Sequence, residues 1–240
     1  MKKIRKPSGI IFDLGNTVLH ELSYNTLAGN RRLLKLAEYN PGVTAEDIQK
    51  LAGEVYGWMD CAREESMIEI SFETFNRLFY EPLGVKFKVG YDELEREFWE
   101  AACNYVPAPG IYALLDVLGA NQINTGIISN SIFSASTLIN ELEKHNLARC
   151  FQFVIASADY GIRKPHKAIF QIAVKKMGLE ESDIWFVGDK PEYDIKGALN
   201  AGLYPVWYNW QDKAGTTDGD YLGIKSLDDL KNEILRLYGT

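Results

Sequence analysis

Five short apolar runs constrain this chain more than any other feature. They are GIIFDL (9–14), TGIISN (125–130), FVIASA (153–158), IWFVGD (184–189) and YPVWYN (204–209). Each is rich in Ile, Val or aromatics, and most end in a small or polar residue. Continuous apolar runs of this length suit strands buried on both faces, as in a parallel sheet. Helical periodicity separates the last four: 134–147, 166–179 and 194–203 place apolar residues three and four apart. A further strand–helix pair is expected over 221–238. Strand–helix alternation of this kind predicts a doubly wound α/β sheet, whose ligand crevice lies at the strand ends.

More than a hundred residues separate the first run from the second, whereas a simple crossover needs about a dozen. The gap carries helical periodicity at 27–39, 44–65, 71–80 and 92–105. Thr44 with Asp47 and Ser71 with Thr74 read as helix starts. VPAPG (106–110) reads as a stiff return linker. The expected organisation is a core of 1–19 and 107–240, with a helical insert over 20–106 at the edge of the crevice. Trp58 and Trp99 belong to the insert's core on this reading.

Net charge is -7, which argues against a nucleic-acid partner. The only basic concentration is Lys2, Lys3, Arg5 and Lys6. The apolar stretch behind it is short and broken by Asp13, with no small-residue cleavage site, so it is not read as a signal peptide. No run approaches the roughly 18 apolar residues of a membrane helix. Cys61, Cys103 and Cys150 are distant and odd in number, which fits buried thiols in a reducing cytoplasm. The expected assembly is a monomer or homodimer.

The strand ends carry the chemistry. Asp13 ends the first run, followed by Gly15, Asn16 and Thr17. Ser129 and Asn130 end the second. Lys164 follows the third, with Pro165 suited to a helix's first turn. Asp189 ends the fourth, with Asp194 five residues on. Singly, each is an ordinary turn or cap residue. Together, a doubly wound fold gathers three carboxylates, a hydroxyl and a lysine into one crevice. Carboxylates that close either raise one another's pKa or share a cation. Hard oxygen ligands beside a lysine suggest Mg²⁺ with a phosphate group.

These residues resemble the four motifs of the haloacid dehalogenase-like hydrolase superfamily, in its subfamily with a helical cap of the C1 type. DLGNT resembles the first motif, Asp-x-Asp-x-Thr, with Gly15 in place of the second Asp. Ser129 resembles the second motif, Lys164 the third, and GDKPEYD the fourth. The resemblance implies a Rossmann-like core and a Mg²⁺-dependent phosphatase acting on a small phosphorylated metabolite. It implies Asp13 as nucleophile, and a metal held by Asp13, the Gly15 carbonyl and Asp189, with Asp194 acting through water or by orientation. Ser129, Asn130, Lys164 and the loop at Asn16 are implied to bind phosphate. Thr17 is read as bonding that loop.

Gly15 cannot supply the acid–base carboxylate that the family's phosphatases carry at that place. The resemblance therefore implies a slow phosphatase. A phosphate-metabolite-binding or regulatory protein with little turnover is the reading from another class. A phosphonatase-like hydrolase is a third, using one of Lys35, Lys50, Lys86 or Lys88 in the insert. His20, seven residues after Asp13, is the candidate substitute acid–base, although a surface or hinge histidine explains it more simply. Tyr24, Arg31 and Arg32, near the start of the insert, are candidates to touch substrate, although helix-surface positions explain the arginines at least as well.

Overall fold

The computed structural model describes residues 5–213 and 219–239. Lys2 and Lys3 of the basic tip lie outside the described residues, as does the side chain of Trp58.

In chain order the elements begin with β1 (Gly9–Phe12), β2 (Leu19–Tyr24), α1 (Thr26–Leu34), β3 (Ala37–Tyr39), α2 (Ala45–Ser66), α3 (Phe72–Tyr80), β4 (Lys86–Phe87), α4 (Tyr91–Ala102) and β5 (Cys103–Pro107). Then come α5 (Ile111–Ala120), β6 (Asn124–Ser129), α6 (Ala135–Lys144), β7 (Val154–Ala156), α7 (Ser157–Tyr160) and α8 (Lys167–Met177). The chain continues through β8 (Ile184–Gly188), α9 (Lys196–Ala201), β9 (Tyr204–Tyr208), β10 (Leu222–Ile224) and α10 (Leu227–Tyr238).

All five apolar runs are strands of one six-stranded parallel sheet, ordered β10-β9-β8-β1-β6-β7. The chain is therefore an α/β protein with a doubly wound core. Alternation along β1 sends Ile10 and Phe12 into the core on one face and Ile11 into a second core with Ile128, Phe170 and Phe186. Strand order reverses at β1, which is flanked by β6 and β8, so the crevice opens at the carboxyl ends of these three strands.

The stretch between β1 and β6 is helical, as its periodicity predicts. Thr44 and Asp47 form a reciprocal capping box, and the Ser71 hydroxyl accepts from the Thr74 N–H. Two predicted helices stop short. Residues 37–39 leave the first to pair with β4, and 103–107 leave the last to pair antiparallel with β2. The return linker is thus half strand, and it leads into a helix, α5, that its sequence did not announce. Pro165 precedes helix α8, whose N-cap is His166. The thiols are unpaired but not buried, with Cys61 exposed and Cys103 and Cys150 half-buried.

Among the described residues the helices are tied to the sheet at several places besides the β2–β5 ribbon, the Tyr193 hydroxyl donating to Glu64 of α2 at 2.8 Å at one of them. The segment from Met67 to Phe72 crosses the strand-end loops. Ile68 bridges Ile162, the Arg163 N–H donates to the Met67 carbonyl at 3.0 Å, and the Phe72 N–H donates to the Ile132 carbonyl at 2.7 Å. Buried Glu95 of α4 accepts from the Ser134 N–H at 2.8 Å, at the start of α6, where an anion meets the helix's positive end. Trp99 beside it donates to Glu141 at 2.8 Å. No helix among the described residues is long and apolar enough to cross a membrane.

Candidate active site

Asp13 is the first residue past β1, with its N–H held by the Val187 carbonyl of β8 at 2.8 Å. A tight turn follows. Asn16 takes a left-handed φ of 61°, which Asn tolerates better than most residues. The Leu14 carbonyl accepts from the N–H groups of Val18 and Leu19 at 2.9 and 3.0 Å. Among the described residues the Leu14 and Gly15 N–H groups find no acceptor, and the Gly15 carbonyl receives no donor.

Lys164 is buried and reaches into the same place. Its Nζ donates to Asp13 Oδ1 at 2.5 Å and to Asp194 Oδ1 at 2.7 Å. Burial opposes the charge on Lys164, but the two carboxylates outweigh it and raise the ammonium's pKa. Asn130 fixes the lysine's backbone from both sides. Its amide donates to the Lys164 carbonyl at 2.9 Å and accepts from the Lys164 N–H at 2.7 Å.

A π-helical turn over Pro191–Ile195 brings Asp194 back beneath β8. Its second oxygen accepts from the Lys190 N–H at 2.9 Å. A side chain on Gly188 would occupy the space of the Asp194 carboxylate, which accounts for the glycine at that strand end. Asp13, Asp189 and Asp194 each place a carboxylate oxygen within 4.8 Å of the others. Asp189 Oδ1 is buried with no hydrogen-bond partner. Burial, then the Asp13 and Asp194 charges, push the Asp189 carboxyl up to about 7. Burial likewise lifts Asp194 to about 6, against the pull of Lys164. An orphaned buried carboxylate oxygen in an all-oxygen cluster fits a small divalent cation.

The carboxylates face a pocket of about 330 Å³. Asp13, Gly15, Asn16, Ser129, Asn130, Lys164 and Asp194 line it, and Asp189 sits in the adjoining carboxylate cluster. The predicted residues thus converge, but several roles change. The Asn16 N–H is spent on the Leu19 carbonyl at 2.6 Å, and its Oδ1 accepts from Glu21 at 3.3 Å. Asn16 shapes the turn, and the free N–H groups are those of Leu14 and Gly15. The Asn130 side chain is committed to Lys164, which leaves only its main chain to meet a phosphate. Thr17 holds the loop by its N–H, at 3.3 Å from the Leu14 carbonyl, while its buried hydroxyl is unpaired.

His20 does not reach the pocket. Alternation along β2 sends Leu19 and Glu21 to the pocket wall and His20 to the other face. There it stacks on Trp210 at 4.3 Å, and burial lowers its pKa. Lys35, Lys50, Lys86 and Lys88 are all exposed and none lines the pocket, so the phosphonatase-like reading has no lysine of the insert there. Arg31 pairs with Glu46 and Arg32 with Glu97, both away from the pocket. Tyr24 does line it. Trp99 is core, as predicted, and also pocket wall.

Sequence reasoning missed Arg63 of α2 and Arg163, which line the pocket and flank buried Glu69. Arg163 adjoins Lys164 in the chain, which was the only available signal. Arg63 lies 49 residues past the first motif's Leu14 in a helix that gives no sign of its destination.

The fold, the crevice and the four strand-end motifs define a hydrolase of the haloacid dehalogenase-like class. The chain belongs to that family: the family model described as haloacid dehalogenase-like hydrolase matches residues 10–207. It is 30% identical over 204 residues to the pyrimidine 5'-nucleotidase YjjG of Escherichia coli (strain K12), covering 83% of this chain and 85% of the nucleotidase. It is 25% identical over 227 residues to a phosphoglycolate phosphatase of Yersinia pseudotuberculosis, covering 92% and 90% of the two chains. Its fold resembles a 2-haloacid dehalogenase from Pseudomonas syringae pv. Tomato DC3000, with a TM-score of 0.63, 24% identity and coverage of 95% and 98%.

The raised carboxyls make a pH prediction. Both groups hold protons more tightly when folded than when unfolded, where an Asp titrates near about 3.9. Folding therefore takes up protons between about pH 4 and pH 7, and stability falls as pH rises through that window. The Tm of metal-free protein should drop by roughly 5–10 °C from about pH 5 to about pH 7.5, on the usual scale for this size. Asp189→Asn should flatten most of that slope. A wild-type Tm that rises across the window, or an unchanged slope in the variant, would refute the assignment.

Proposed function

We propose that this hydrolase is a Mg²⁺-dependent phosphohydrolase that passes the phosphoryl group of a small phosphorylated metabolite to Asp13 and then to water. The observation that carries this reading is the state of Asp13. Asp13 lines the pocket, and Lys164 holds its Oδ1, while its Oδ2 makes no hydrogen bond among the described residues. A merely structural carboxylate would have both oxygens engaged, as Asp194 has. The nucleotidase and phosphatase relatives support the same class.

Asp13 Oδ2 attacks phosphorus as the bond to the leaving oxygen breaks, giving an aspartyl-phosphate. Water then attacks that phosphorus, releasing inorganic phosphate and restoring the carboxylate. Lys164, the Ser129 hydroxyl and the Leu14 and Gly15 N–H groups hold the phosphoryl oxygens and stabilise their growing charge. Asp13, Asp189 and the Gly15 carbonyl would hold Mg²⁺, with Asp194 keeping Lys164 in place. Bound there, the ion supplies charge neutralisation at the phosphoryl group. Gly15 offers no proton to the leaving oxygen, so turnover is slow for alcohols that leave poorly. Residues 20–106 serve as the cap over a core of 1–19 and 107–240, since Tyr56, Arg63 and Trp99 from the helices form pocket wall.

A screen of phosphomonoesters with and without Mg²⁺ tests this. Metal-dependent release of phosphate from at least one small metabolite is expected. Tight binding of the same compounds without release would favour the regulatory alternative.

A further inference from the structure

A second cavity, of about 150 Å³, lies among the helices α1 to α4 and shares Tyr24, Tyr56 and Ile132 with the wall of the active-site pocket. Aromatic rings from α2, α3 and α4 enclose most of it. One polar group inside has no partner. Asn76 of α3 is 4% exposed, and its Oδ1 is buried without a hydrogen bond. Its orientation is fixed, because the amide nitrogen donates to the Phe72 carbonyl at 2.9 Å. Turning the amide over would set two acceptors against each other, so the oxygen is the atom left without a partner in this residue of the cavity wall. Asn30, across the cavity, accepts from the Tyr80 hydroxyl at 2.9 Å, and its NH₂ finds no acceptor among the described residues.

An apolar cavity of about this volume takes a benzene-sized ring. An unpartnered acceptor facing a spare donor asks that ring for complementary edges. We propose that this cavity is a substrate subsite that receives a planar six-membered ring, carrying a hydrogen-bond donor beside an acceptor, on the leaving group of the phosphomonoester. The proposal rests on the phosphohydrolase reading for the reaction, though not for the binding. Asn76 here is a specificity residue and takes no part in the chemistry at Asp13. Pyrimidine nucleoside 5'-monophosphates fit these terms, while ribose 5-phosphate lacks the ring and purines exceed its size.

Two assays test it. In the first, kcat/KM with Mg²⁺ is measured for uridine 5'-monophosphate, inosine 5'-monophosphate and ribose 5-phosphate. Wild type should prefer the uridine ester, and Asn76→Leu should cut that rate by roughly 10- to 100-fold while leaving ribose 5-phosphate unchanged. Ala52→Leu, which fills the cavity wall without touching Asn76, should give the same pattern if Asn76→Leu fails to fold. In the second, free uridine should raise the Tm of wild type but not of Asn76→Leu, and ribose should raise neither. If no phosphomonoester is hydrolysed but uridine still binds through Asn76, the phosphohydrolase reading fails and the subsite stands. If phosphatase activity is sound but the three esters react alike, or both variants leave their ratios unchanged, the subsite is overturned. Equal binding of inosine and uridine would overturn it as well.

Discussion

Asp13→Asn should abolish turnover while leaving the fold intact. The amide keeps the shape, and its carbonyl still accepts from Lys164 in place of Oδ1, now at 2.5 Å. What disappears is the attacking charge. Loss of a covalent nucleophile typically costs on the order of 10⁴-fold or more. Stability should not fall. The Asp13 charge pairs with Lys164, which keeps Asp194 as a partner, and pushes Asp189 and Asp194 upward, so its removal loses one attraction and relieves two repulsions. Metal-free variant should therefore melt at or above the wild-type temperature near about pH 7.5. Rapid-quench experiments with labelled substrate should trap a phosphoenzyme in wild type and none in the variant. Activity close to wild type would sink the covalent route and favour direct attack by water.

The second large effect concerns Gly15. With no acid beside the leaving oxygen, rate should depend steeply on the leaving group. Aryl phosphates should react far faster than sugar phosphates, giving a burst of aryl alcohol followed by a slow steady state. Gly15→Asp should shorten the wait and raise the sugar-phosphate rate by up to about 10²-fold, on the usual scale of acid–base catalysis. The site has room for the change. A Cβ on Gly15 meets nothing within 4 Å, and Gly15 is not among the glycines with positive φ. His20→Ala should leave both phases unaltered, since His20 faces Trp210. A wild type without burst or leaving-group dependence would mean that another group supplies the proton.

The sheet was legible because its strands are buried on both faces, and such strands read as unbroken apolar runs. The strand-end residues were legible because the fold class says where strand ends meet. The β2–β5 ribbon was not. Leu19–Tyr24 has four exposed residues, and Cys103–Pro107 follows a helix whose spacing runs on in the sequence up to Tyr105. Pairing across some eighty residues leaves no local signature. The role of Asn16 was misread for a related reason. Motif spacing identifies which residues converge, but not which of their polar atoms are already spent on the backbone. Asn76 sits among Phe72, Phe75 and Phe79 on α3, where the sequence shows only an aromatic helix face.

The crossing of Met67 to Phe72 over the strand-end loops has a consequence for opening of the site. Its backbone bonds end on Arg163, the neighbour of Lys164, and on Ile132, three residues past Ser129. Were the helices to swing away as a body, those bonds would have to part, and the loops beside Lys164 and after Ser129 would lose these ties. Such a motion would loosen and reset only the rim of the site, at Arg163 and Ile132, around a lysine already seated by Asn130, Asp13 and Asp194 of the core.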